Sequence, residues 1–192
     1  MRRAVKHKES IIIKEGLRYS TKNINSKISQ ILLSEQKCFC AYTDEYINRT
    51  DAADIEHFNP KLKLTDNDSY NNWFLVKHQW NKEKSYKWDK FQPALHPTAT
   101  DFEARIIYND GDYFSGYETD IEAMNTVSLL KLDDPGLAEK RKKYITRKKK
   151  EIEVSGLSPY NFFNNLLTDD ICQISYVRAI KEEFDINILD LM

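Results

Sequence analysis

The sequence predicts an α+β fold: short strands in the middle of the chain, helices on either side, and a mostly helical C-terminal half. Three observations carry this. Apolar residues recur at helical spacing before Cys38 and again after Asp120. Between Cys40 and His78 the texture changes to short apolar runs separated by the turn signals Asn59-Pro60 and Asp66-Asn67-Asp68. An Asn109-Asp-Gly111 step then joins two further short runs. A chain of 192 residues with 41% hydrophobic and 12% aromatic content can bury a core as one domain, which excludes a disordered class.

Each element follows from its residues. Ile24, Ile28, Ile31 and Leu32 form one helical stripe ahead of the cysteines, with Asn23 or Asn25 as candidate caps. Ala53 to Phe58 and Trp73 to Val76 read as strands, and Trp80, Lys84 and Trp88 restore helical spacing until Pro93 breaks it. Arg105–Tyr108 and Asp112–Phe114 make a hairpin, because Asp-Gly supplies the positive φ of a tight turn. Asp120 caps a helix carrying Ile121, Met124, Val127 and Leu130. The next helix, from about Leu137 to Val154, buries Leu137, Arg141, Tyr144, Ile145, Lys148 and Ile152. A final helix is expected from about Thr168 to Phe184.

Composition also limits function. No apolar run approaches the roughly 18 residues needed to span a bilayer, and MRRAVKHKES lacks the apolar stretch of a secretory signal, so the expectation is a cytoplasmic protein without a membrane role. Three cysteines, Cys38, Cys40 and Cys172, argue for reduced thiols, and no structural zinc is expected. Net charge is −1. It conceals a dipole, because residues 1–37 hold nine Lys or Arg against three Glu. A second basic block runs from Lys140 to Lys150, whereas the last 24 residues hold six acids against two bases. Such surfaces suit phosphates, although a solvated helix face is the plain alternative.

Chemistry concentrates in Asp54-Ile-Glu-His57-Phe58-Asn59-Pro60-Lys61, where a histidine adjoins a carboxylate and strand alternation puts Asp54 and Glu56 on one face. Asn72 opens the second strand, and Asn81 and Lys84 lie on the helix that follows. This order resembles the HNH endonuclease family, whose ββα-metal unit sets a histidine at the end of one strand, an asparagine before the second, and a metal ligand on the helix. Members of the most similar type read C-x-x-C, D-I-E-H-F-x-P-K and N-L-L-L-x-C-x-x-C-N-x-x-K. The chain has Cys40-Ala-Tyr-Thr43, the Asp54–Lys61 run, and Asn72 through Asn81 to Lys84, with nine positions from Asn72 to Asn81. Leu95-His-Pro97, the Gly111 hairpin and the Ala123–Leu132 segment are similar to the HNH subunit of Septu-type and retron-associated anti-phage systems.

The resemblance implies a single HNH domain over 1–192: a basic arm and helix to residue 37, a ββα-metal core over 38–92, and a hairpin with helical extension over 93–192. It implies His57 as general base, with Asn72 bracing its loop and Asp54 orienting it. A divalent cation, Mg²⁺ or Mn²⁺, would be held by Glu56 and Asn81, and Lys61 and Lys84 would meet nucleic-acid phosphates. A ligand one turn beyond Asn81 would fall at Ser85, a poor donor. It further implies a DNA substrate, with RNA not excluded, and an ABC/SMC-like ATPase partner. Thr43, Lys77 and Trp80 stand where zinc-bearing members carry cysteines, so packing by Trp73, Trp80 and Trp88 is expected to replace that clamp. Each residue has a structural alternative: Asn72 as a turn residue, Asn81 as a cap, Glu56 as a solvated carboxylate, the lysines as surface charges. The rival to an enzyme is a catalytically silent nucleic-acid-binding or scaffold subunit. The enzyme reading requires His57 and Asn81 to face one phosphodiester.

Overall fold

The computed structural model describes residues 1–84 and 86–192, with Glu83 described as backbone only. Its architecture mixes helix and strand, with two separate two-stranded antiparallel sheets. A single turn, α1 (Ile11–Lys14), is capped by Ser10, whose hydroxyl accepts from the Ile12 N–H. The longer α2 (Lys22–Glu35) buries Ile28 and Leu32, two of the four predicted stripe positions, against the first sheet. Ile24, in the first turn of α2, is 37% exposed.

That sheet pairs β1 (Ala53–His57) with β2 (Trp73–Lys77) in the register Asp54↔Val76, Glu56↔Phe74, His57↔Trp73. Trp73 to Val76 are all buried, so β2 is the central strand of the core. Its second edge is covered by a side chain instead of a strand. The Gln36 amide accepts from Leu75 N–H at 2.8 Å and donates to Leu75 C=O at 2.8 Å, which satisfies backbone groups that burial would otherwise leave unpaired. Directly after β2 comes α3 (His78–Lys84), packed on both strands.

The turn α4 (Phe102–Arg105) leads into the hairpin of β3 (Ile106–Asn109) and β4 (Asp112–Ser115), where Asp110 and Gly111 both have positive φ, as the Asp-Gly step predicts. Gly111 is fixed twice over, since a Cβ there would stand 2.6 Å from the Ala138 carbonyl. Asp120 caps α5 (Ile121–Leu129) by accepting from Ala123 N–H, and Asp134 with Pro135 starts α6 (Pro135–Ser155), which ends on left-handed Gly156. Arg141, buried on α6, donates to the carbonyls of Gly111 and Leu132 and so ties the hairpin to the helix.

The C-terminal region departs from the sequence expectation. Instead of one helix over 168–184 there are two, α7 (Pro159–Asp170) and α8 (Val177–Phe184). Ser158 caps α7 and Pro159 occupies its first turn, a start signal that the apolar pattern alone does not reveal. The break between them follows from Asp170, whose side chain caps Cys172 N–H, and from left-handed Tyr176. These helices form a second core cluster with Phe39, Leu137, Ile145 and Ile188, and Trp80 packs against both clusters. No helix among the described residues is long and apolar enough to cross a membrane.

Candidate active site

The two faces of β1 carry different chemistry, because alternate side chains of a strand point to opposite sides. On the face away from α3, His57 Nε2 lies 3.0 Å from Asp68 Oδ2. A carboxylate can only accept, so Nε2 carries the proton and Nδ1 keeps the lone pair. Asp68 is itself held by the indole N–H of Trp73 at 2.6 Å, by Leu64 N–H at 3.1 Å and by the Asn72 amide at 3.3 Å. Asn72 also clasps Asn59, accepting from its N–H at 2.8 Å and donating to its carbonyl at 3.1 Å, which fixes the loop leaving His57. The His57 ring is covered by Tyr19, edge-on at 4.7 Å, and the residue is 5% exposed. Burial lowers the imidazole pKa below its ordinary 6.5, against the opposing pull of Asp68, so His57 is neutral at pH 7.

On the α3 face, Glu56 is 2% exposed and forms an ion pair with Lys84, which is 3% exposed and also donates to His57 C=O at 2.7 Å. Burial raises the Glu56 carboxyl and lowers the Lys84 amine, and each partner's charge opposes the other's shift. The Tyr42 hydroxyl is buried beside Glu56, where it favours the carboxylate and is itself pushed up by burial and by the Glu56 charge. Two residues earlier, Asp54 Oδ2 accepts from His78 Nδ1 at 2.7 Å and from the Asn81 amide at 2.9 Å. An open cleft of about 350 Å³ borders Ala53–Ile55 and is lined also by Tyr19, Lys63 and Asn81.

Residues 40–88 match the family model of the HNH endonucleases. The match spans about a quarter of the chain and covers both strands, α3, His57, Asn72 and Asn81, so it supports the HNH family and a nuclease activity class. No curated protein and no solved structure matches the chain.

Within the matched segment the predicted residues are only partly brought together. His57 and Asn72 share the Asp68 network, whereas Asn81 sits with Asp54 on the other face of β1, so the expectation that His57 and Asn81 face one phosphodiester is not met. Asp54 does not touch His57; it pairs with Asn81 and His78, and Asp68 is the carboxylate that orients the imidazole. Lys84, expected at phosphates, is buried in the Glu56 pair, because its helical position aims it between β1 and Trp88. Lys61 is exposed and pairs with Asp89 at 2.5 Å. Ser85 lies outside the described residues. Asp68, Tyr19 and Lys63 escaped sequence reasoning: Asp68 is indistinguishable from Asp66 as a turn former, and Tyr19 reaches the site from a loop before α2.

HNH nucleases generally use a divalent metal ion. Glu56 and Asn81 do not fit a shared one here. The Glu56 oxygens are sealed in the core beside an ammonium, while the Asn81 amide turns to Asp54, and a hard cation such as Mg²⁺ keeps several waters that this packing leaves no room for. Among the described residues no three of His, Cys, Asp and Glu are grouped to hold a metal ion. At the positions of the cysteine clamp, Cys40 accepts from Lys77 N–H at 3.4 Å, and Trp80 fills the space between the two core clusters.

Proposed function

We propose that this protein is a nuclease that hydrolyses phosphodiester bonds in DNA. The observation that carries this reading is the His57–Asp68 pair, a neutral, oriented imidazole at the end of β1 inside the segment that matches the HNH family. In this reading His57 Nδ1 takes the proton of the attacking water as the water oxygen bonds to phosphorus and the bond from phosphorus to the 3′ oxygen breaks; the 3′ oxygen leaves as an alkoxide and is protonated by solvent, while Asp68 stabilises the imidazolium that forms. Asn72 holds the loop that sets the imidazole. Lys61 meets a neighbouring phosphate by exchanging its Asp89 partner for it, which makes binding salt-sensitive. Because Tyr19 covers the ring, substrate entry requires that contact to open.

The requirement for Mg²⁺, with Mn²⁺ as substitute, rests on the HNH pattern alone, since Glu56 and Asn81 do not converge. A role as the nuclease subunit of a cytoplasmic anti-phage complex with an ABC/SMC-like ATPase rests likewise on the resemblance of the chain beyond residue 88. RNA fits the same backbone chemistry. A second reading, a catalytically silent nucleic-acid-binding subunit, is favoured by the Glu56–Lys84 pair, which neutralises the carboxylate that an HNH site would offer to a cation, and by the placement of His57 and Asn81 on opposite faces of β1.

Plasmid nicking in Mg²⁺, alone and with the ATPase added, separates the two. The first reading expects cleavage by the parent and its loss, by at least about 10²-fold, in His57→Ala. Equal cleavage by both proteins removes His57 from the chemistry, and no cleavage under any condition favours the silent subunit.

A further inference from the structure

Helix α6 presents an unusual surface. Its 21 residues extend over roughly 31 Å, and the run 140–150 holds eight Lys or Arg without an acid. Two of the eight, Arg141 and Lys148, are buried and serve packing. Lys142 is paired with Asp110, and Lys149 with Glu183. Among the described residues Lys143 meets only Glu139, an exposed pair at 3.2 Å of the kind that contributes little. Lys140, Arg147 and Lys150 have no carboxylate partner among the described residues.

The spacing converts this surplus into a line. Lys143, Arg147 and Lys150 follow at i, i+4 and i+7 on one face, with the Thr146 hydroxyl beside them, and they border a shallow concavity of about 410 Å³. Like charges at this spacing destabilise a helix by themselves, and a solvated face would interleave acids, as α6 does only at its two ends. The three cations span about 10 Å along the axis, over which one strand of duplex DNA presents roughly three phosphates. Arginine and lysine together with a hydroxyl donor suit phosphate oxygens better than they suit the single carboxylates of a peptide.

We propose that the Lys143–Arg147–Lys150 face of α6 is a second nucleic-acid contact surface, which holds the backbone of a duplex outside the cleft lined by Tyr19, Asp54 and Asn81. The inference deepens the nuclease reading and rests on it for the class of ligand. No residue of this face lies in the matched segment or lines that cleft. Contact through phosphates makes the surface indifferent to sequence and sensitive to salt.

The test measures binding of a fluorescent DNA duplex by the full chain carrying His57→Ala, with and without Lys143→Gln, Arg147→Gln and Lys150→Gln, over a series of salt concentrations. The triple substitution is expected to weaken affinity at least tenfold near 0.1 M salt and to reduce the slope of log K against log[salt] by about 2 to 3. Unchanged affinity and slope would overturn the proposal. So would polyglutamate that displaces the duplex as well as unlabelled DNA does at equal charge, since the face would then serve an acidic protein. Cleavage by the chain with His57 intact is scored separately: loss of binding in the triple variant without any cleavage leaves this surface standing and removes the nuclease reading, whereas cleavage with unaltered binding does the reverse.

Discussion

The two faces of β1 solve the same problem in opposite ways. Each brings a carboxylate and a nitrogen base together out of water, yet Asp68–His57 leaves one ring nitrogen with its lone pair, whereas Glu56–Lys84 closes on itself as an ion pair within the core. The hydrogen-bonded face retains something to react with. The ion-paired face trades the solvation of two charges for their mutual attraction, an exchange that rarely favours stability outright but punishes the loss of either partner. Adjacent residues of one strand are thus read alike in a linear motif and do different work in three dimensions.

This contrast can be broken from either side. Lys84→Met should have the largest effect, about 3 to 5 kcal/mol lost in urea unfolding, because Glu56 would stay buried and unpaired. Adding Glu56→Gln should restore a good part of that loss, and a single substitution as mild as a surface change would place the pair in solvent. On the other face, Asp68→Asn is expected to lower kcat about 10²-fold with DNA affinity unchanged, since the amide no longer holds the productive tautomer. Asp68 pulls the imidazole pKa upward, so the acid limb of the rate profile should also move to lower pH in this variant. For the parent, burial holds His57 below its ordinary value, and activity should persist as pH falls to about 6.5 and decline only beneath it. An acid limb centred above pH 7 would assign the proton transfer to another group.

The smallest effect concerns Lys6, which is half-buried over the rings of Tyr70 and Phe74 and donates to the Trp73 carbonyl. Burial, partly opposed by Glu35, brings its pKa down to about 7. An unfolded lysine keeps its proton to about 10.4, so between these values the unfolded chain binds more protons and stability rises with pH. Lys6→Met should flatten that rise. Chemical unfolding at pH 7 and pH 9.5, compared between parent and variant, reads it directly.

Much of the architecture was legible because its signals are local. Asp120, Asp134-Pro135 and Asp110-Gly111 act within a few residues of themselves, and the helices and hairpin they mark are where they were expected. The segment from Ile171 to Tyr176 was not, since an Asp170 cap and one left-handed residue interrupt a pattern that remains apolar throughout. For the site, the order of His57, Asn72 and Asn81 along the chain was readable, and the HNH match over residues 40–88 spans it. Which groups touch was not readable. A motif records spacing, but strand alternation sends His57 and Glu56 to opposite sides, and the partners Asp68 and Tyr19 come from loops whose paths depend on the whole core.

The second core cluster bears on how the protein can be cut down for study. Phe39, between α2 and β1, is buried in one cluster with Ile174, Tyr176 and Ile180 from the far end of the chain, and Arg178 reaches back to the carbonyls of Met1 and Glu103. A fragment ending at residue 92 or 158 would expose that aromatic and the inner side of Trp80 together. Such a minimal catalytic piece should therefore aggregate on expression, and the first and last thirds of the polypeptide must be inherited as one unit.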